Sequence, residues 1–189
     1  MSNSQNSGKR AIVTGASRGI GKEIAEILGQ HGFDLVLVAR NADDLKSVAQ
    51  EIQKNSSVEC HPSVRDLSKE EDIETLIKEY PEADLLINNA GIATYGSFPD
   101  LAWEKEKQMM MLNMFALSRL CHHYLKGMTQ RGYGRILNVA STAGVAPIPF
   151  MATYASTKAF VIELSKSINL EIDSEKVKDV TVSCLLPGP

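Results

Sequence analysis

The sequence predicts an α/β protein in which a doubly wound parallel sheet lies between two layers of helices. Three observations predict it. Short apolar runs alternate with helix-period segments along almost the whole chain. The second run, DLVLVA (34–39), is nearly continuously apolar, as in a strand covered on both faces. The first run passes through a glycine-rich turn, TGASRGIG (14–21), directly into a helix.

The elements follow in order. RAIVT (10–14) reads as a strand, GIGKEIAEILGQHG (19–32) as a helix closed by Gly32, and 34–39 as the second strand. NADDLKSVAQEIQK (41–54) is a helix with Asn41 as N-cap and Asp43 and Asp44 in its first turn. SVECHPSV (57–64) holds a short third strand, and SKEEDIETLIKEY (68–80) is a helix opened by a Ser68-x-x-Glu71 capping box. ADLLINNAG (83–91) is a fourth strand running into a polar turn. A long helical pattern spans roughly 100–130, GRILNVAS (134–141) is a fifth strand, roughly 151–173 another long helix, and VTVSCLL (180–186) a sixth strand. Strict alternation implies right-handed βαβ units and hence parallel strands.

With 189 residues, 43% hydrophobic and 23% charged, the chain fits one globular domain, expected over 9–189. The polar start, MSNSQNSG (1–8), has no apolar segment; it is expected to be a disordered tail, not a signal peptide. A net charge of −3 carries no nucleic-acid or membrane footprint. Cys60, Cys121 and Cys184 are far apart and form no CxxC pair, which reads as reduced thiols in a cytoplasmic protein. The longest uncharged run, Ile136 to Thr157, contains Asn138, Pro147 and Pro149, so it does not read as a membrane span. The adjacent His122 and His123 point about 100° apart on a helix and have no partner acids at metal spacing, so no metal site is expected. Met109, Met110 and Met111 read as core and interface filling.

The turn at 14–21 spaces its glycines G-x-x-x-G-x-G. Gly15 permits a tight turn, Gly19 lets backbone N–H groups approach a pyrophosphate, and Gly21 lets the helix pack close to the sheet. A site for NAD usually holds the ribose hydroxyls with an acid at the end of the second strand. Here that place reads Ala39-Arg40-Asn41, and Arg18 lies in the glycine turn. Two guanidiniums and no carboxylate favour a 2′-phosphate, so NADP is expected in preference to NAD.

The stretch YASTK (154–158) sets Tyr154 one helical turn before Lys158, on one face. An ammonium about 4 Å from a phenolate, at an effective dielectric of about 20, is worth roughly 4 kcal/mol. That lowers a phenol's pKa by about three units, towards neutrality, where proton exchange with an alcohol is efficient.

TGASRGIG, NNAG (88–91), Asn113, Ser141 in NVASTAG and YASTK together resemble the short-chain dehydrogenase/reductase family, in order and approximate spacing, over nearly the whole chain. The resemblance implies a Rossmann-type fold and a hydride transfer between a nicotinamide and a ketone or secondary alcohol. Tyr154 would act as acid and base, Ser141 would hydrogen-bond the substrate oxygen, and Lys158 would also hold the nicotinamide ribose. Asn113 would position a water in the proton relay behind the lysine through its backbone. The uncharged run from Ile136 to Thr157 would wall the hydride-transfer site. Cofactor contacts are implied for Ser17, Ile20, Leu67, Asn89, Ala90, Gly91, Pro187 and Gly188. Asp66 matches the family's adenine-contacting acid, although it also reads as a residue of a helix start. The resemblance further implies a homodimer or homotetramer through the helices near 100–130 and 151–173. Family members continue past the Pro-Gly of LLPGP (185–189), so the chain is expected to lack a C-terminal strand and substrate lid.

The glycine turn and flexible, apolar-walled site also resemble 3-oxoacyl-thioester reductases. The competing reading is a non-catalytic NADP-binding sensor or scaffold on the same fold. A third, a methyltransferase on a similar sheet, is opposed by the Tyr154–Lys158 pair.

Overall fold

The structure is a computed structural model and describes residue 6 and residues 8–188. Most of the tail expected at 1–8 lies outside the described residues. The strands are β1 (Arg10–Thr14), β2 (Asp34–Ala39), β3 (Cys60–Val64), β4 (Leu85–Asn88), β5 (Tyr133–Val139) and β6 (Asp179–Leu185). The helices are α1 (Gly19–Gln30), α2 (Ala42–Asn55), α3 (Glu70–Glu79), α4 (Trp103–Met110), α5 (Leu117–Arg131) and α6 (Ala152–Ser174). The strands form one parallel sheet in the order β3-β2-β1-β4-β5-β6.

Alternation along the strands divides the core between two faces. Ile12, Val36, Leu86 and Ile136 pack with Leu76, Leu120, Tyr124 and Val161 from α3, α5 and α6. Their neighbours Val13, Leu37 and Ile87 turn the other way, onto Ala25, Leu45, Val48 and Ile52 of α1 and α2. Ile12 lies opposite both Val36 and Leu86, which places β1 at the centre of the sheet. The chain winds outward from β1 to β3 on one side, then returns to β4 on the other. This reversal opens a crevice beyond the carboxyl ends of β1 and β4, where open α/β sheets take their ligands.

Two local expectations are corrected. The Ser68 capping box does not form: α3 starts two residues later, with Lys69 as N-cap and no side-chain cap. Ser68 instead donates from both N and Oγ to Asp66 Oδ1, at 3.1 and 2.7 Å. The Asp66 carboxylate takes the Ser68 amide that the Glu71 side chain would accept in a capping box. The long helix near 100–130 is also not uniform, because a π-helical segment, Met111–Ala116, separates α4 from α5. Asn41 caps α2 as expected, accepting from the amides of Asp43 and Asp44 at 3.0 and 3.2 Å.

Candidate active site

Gly15 and Gly19 adopt left-handed φ of +66° and +56°, which the β1–α1 turn requires. Gly21 has a different reason: a Cβ there would strike the Gly15 carbonyl oxygen and the Asn89 side-chain amide. The turn is stapled to the end of β4. Asn89 Nδ2 donates to the carbonyls of Thr14 (3.0 Å) and Gly15 (3.1 Å), and the Asn89 and Ala90 amides both donate to Thr14 Oγ1 at 3.0 Å. The glycine turn and NNAG therefore act as one rigid piece.

A cavity of about 450 Å³ opens beside this piece, over the switch point. Gly15, Ser17, Arg18, Gly19 and Ile20 line one side, and Asn89, Ala90 and Gly91 another. Arg40, Asp66 and Leu67 line its far end. Arg18 and Arg40 are both exposed. Burial pushes the Asp66 carboxyl up, but the Ser68 hydrogen bonds and the Arg40 and Lys69 charges outweigh it and hold the group below its usual range. Asp66 thus serves the segment before α3 through Ser68 and also lines the cavity. Arg65, which sequence reasoning missed, lines the same end. Its guanidinium is tied to Glu79 at 2.7 Å, while Nε is buried without a partner. Its position directly before Asp66 was the available signal.

A second cavity, of about 300 Å³, shares Ile20, Asn89, Gly91 and Ile92 with the first. It is lined by Ser141, Tyr154, Lys158, Pro187 and Gly188, with Val139 and Ala140 from the uncharged run. Ser141 follows β5 and accepts from the Ala143 amide at 3.1 Å, capping a 3-10 turn at Thr142–Gly144. A Cβ on Gly144 would lie 2.6 Å from the Lys158 carbonyl carbon, so this turn packs directly on the backbone of α6. Thr142 N donates to Pro187 O at 3.0 Å, which brings the end of the chain beside Ser141. Lys158 is buried, with Nζ 5.8 Å from the centroid of the Tyr154 ring. Burial pushes its pKa down to about 8, partly offset by the Cys184 thiol.

Asn113 and Gly21 line neither cavity; both stand behind the walls. Asn113 lies in the π segment, buried, and clamps the Ile92 backbone: Oδ1 accepts from Ile92 N (3.0 Å) and Nδ2 donates to Ile92 O (2.9 Å). Nδ2 also donates to Thr157 Oγ1 at 3.1 Å, and that hydroxyl donates to Tyr154 O at 2.8 Å. The clamp thus ties the loop after β4 to the helical turn that carries Tyr154.

The arrangement fits a dinucleotide. Glycine backbone lies where a Cβ would block the turn, a helix N-terminus faces the cleft, and two exposed guanidiniums line one cavity while a phenol, a hydroxyl and an ammonium line the adjoining one. Among the described residues, no three His, Cys, Asp or Glu side chains gather at metal-binding spacing. No helix among them is long and apolar enough to cross a membrane.

The family model for short chain dehydrogenases matches residues 9–189. The chain is 33% identical over 184 residues to the uncharacterized oxidoreductase YvrD of Bacillus subtilis, covering 96% of this chain and 68% of that protein. It is 36% identical over 188 residues to the human very-long-chain 3-oxoacyl-CoA reductase, covering 95% of this chain and 59% of that enzyme. Among solved structures, a short-chain dehydrogenase from Sphingobium yanoikuyae in complex with NADPH superposes with a TM-score of 0.88 at 36% identity, covering 95% of this chain and 70% of that one. The chain belongs to the short-chain dehydrogenase family and is an NAD(P)-dependent oxidoreductase.

Proposed function

We propose that the protein is an NADP-dependent oxidoreductase that interconverts a ketone and a secondary alcohol, with a 3-oxoacyl thioester among its candidate substrates. The observation that carries this reading is the continuity of the two cavities. The cavity lined by the glycine turn, Arg18 and Arg40 adjoins, through Ile20, Asn89, Gly91 and Ile92, the one lined by Ser141, Tyr154 and Lys158. A bound nicotinamide supplies or accepts the hydride. The Tyr154 hydroxyl gives its proton to the carbonyl oxygen during reduction and takes it back during oxidation. Ser141 Oγ donates a hydrogen bond to the same oxygen and stabilises the charge developing there. The Lys158 ammonium favours the phenolate and binds ribose hydroxyls, and the Asn113 clamp keeps the Tyr154 turn in place. Arg18 and Arg40 hold the 2′-phosphate by charge-assisted hydrogen bonds. The NADPH-bound neighbour supports the cofactor, and the human 3-oxoacyl-CoA reductase supports the substrate class. Self-association through α4, α5 and α6 is part of the same reading, as is a cytoplasmic location.

The test is the decay of NADPH absorbance with a panel of carbonyls, run beside NADH and a Tyr154→Phe control. General acid–base catalysis is worth about 10²–10⁴-fold, so Tyr154→Phe should lose at least the lower figure in kcat while retaining cofactor binding. An unchanged rate would remove Tyr154 from its role.

A further inference from the structure

Two uncharged loops rim the reaction cavity. Ala93, on the first, lines the cavity, and the second leads into the first turn of α6, where Tyr154 lines it. Between them the rim is closed by a main-chain bond, Gly96 N to Phe150 O at 2.9 Å. The backbone thus runs from the cavity through Tyr95 and Gly96, across this bond to Phe150, and back through Met151 to Tyr154. Tyr95 and Phe150 stand at the crossing with ring centroids 5.8 Å apart and planes tilted by 44°. Their separation lies in the range where aromatic pairs attract. Yet Tyr95 is 73% exposed and Phe150 55% exposed, and Phe98, further along the first loop, is 61% exposed.

Phe150 also has φ +65°, left-handed backbone that a bulky residue rarely adopts. Such strain persists where the surroundings enforce it, commonly at ligand clamps. A glycine would satisfy this backbone without strain; the phenylalanine instead presents a half-exposed ring beside Tyr95. No charged side chain occurs from Asn88 to Pro99 or from Ile136 to Thr157. The rim therefore offers aromatic surface and no partner for a carboxylate or phosphate on the substrate.

We infer that Tyr95 and Phe150 form an aromatic clamp that takes the apolar arm, aryl or extended alkyl, of a ketone substrate whose carbonyl lies at Ser141 and Tyr154. This rests on the oxidoreductase function proposed above. Binding buries ring surface that is otherwise in water, which favours ketones with a bulky apolar arm over small ones.

The test compares 2-butanone with 4-phenyl-2-butanone, which share the methyl ketone and differ by the phenyl arm, in the full chain with NADPH. Tyr95→Ala and Phe150→Ala should each lower kcat/KM for the phenyl ketone tenfold or more and leave 2-butanone within twofold. Phe150→Gly relieves the left-handed backbone while deleting the ring and should show the same selective loss. Equal losses on both ketones, or none, overturn the clamp. Saturation-transfer NMR from NADPH-loaded protein to 4-phenyl-2-butanone reads binding without turnover. If the wild type reduces neither ketone nor any carbonyl of the wider panel, the proposed reaction fails. Transfer lost in Tyr95→Ala and Phe150→Ala then still upholds the clamp, whereas transfer retained in both, or absent from the wild type, overturns it.

Discussion

The ammonium of Lys158 donates to the main-chain carbonyl oxygen of Val139 across 2.9 Å. This is the hydrogen bond that the structure gives a buried cation with three donors. Burial, the largest cause, brings its pKa from the usual 10.5 to about 8. The site therefore holds an under-compensated charge, as expected where a cofactor's hydroxyls complete the shell.

Lys158→Met should abolish turnover yet raise the melting temperature of the cofactor-free protein. The sign follows from linkage. The folded pKa lies below the unfolded one, so the charged lysine costs the folded state its full penalty below about pH 8. Above that the folded state releases its proton first, and wild-type stability relative to the variant rises up to about pH 10.5. Thermal melts at pH 7 and pH 10 check this. A variant less stable than wild type by the same margin at both values would contradict it.

Arg18→Ala and Arg40→Ala should each raise KM for NADPH about tenfold or more, since a hydrogen bond to a charged group contributes roughly 1.5–3 kcal/mol. KM for NADH should move less than twofold. Steady-state kinetics with both cofactors decide the matter, and equal effects on the two would mean that neither arginine meets the 2′-phosphate.

Gly21→Ala tests the packing beneath the turn. The added methyl meets the Gly15 carbonyl oxygen and the Asn89 amide, both held by hydrogen bonds. Overpacking of this kind costs about 1–3 kcal/mol. The expected result is a melting temperature lower by several degrees together with weaker NADPH binding, measured by nucleotide fluorescence. Unchanged binding would show that the turn relaxes freely.

Behind the catalytic wall, Asn138 Oδ1 accepts from Asn88 Nδ2 (2.9 Å) and its Nδ2 donates to Ser165 Oγ (3.0 Å). The bonds join β4, β5 and α6 one residue from the Val139 carbonyl that holds Lys158. Asn138→Ala deletes both bonds, while Asn88 Nδ2 keeps Cys121 Sγ (3.2 Å) and Ser165 Oγ keeps the Val161 carbonyl (2.6 Å), so the cost is the net worth of the two bonds, roughly 0.5–1.5 kcal/mol each. A loss of about 1–3 kcal/mol in urea titration is expected, and a loss under about 0.5 kcal/mol would mean that water replaces the amide.

The first two strands were legible in the sequence because an apolar run fills the centre of each: Arg10–Thr14 and Asp34–Ala39 match the expected bounds. The start of α3 was not, because Asp66 and Glu71 compete for Ser68, and local spacing does not reveal the winner. The π segment was hidden for a longer-range reason. Asn113 is committed to the backbone of Ile92, 21 residues earlier, and a helical period carries no trace of that contact.

By itself the sequence determined the order of elements, the glycine turn, and the placing of Tyr154 and Lys158 on one helical face, since each depends on neighbours within a turn or two. The tertiary structure decided what that face meets. It brought Ser141 from the turn after β5, Ile20 from α1 and Gly91 from the turn after β4 to one cavity. It also stapled NNAG to the glycine turn, buried Lys158 enough to weaken its hold on a proton, and left Tyr95 against Phe150 on the rim. These outcomes depend on sheet order and on the removal of water, both of which act between residues far apart in the chain.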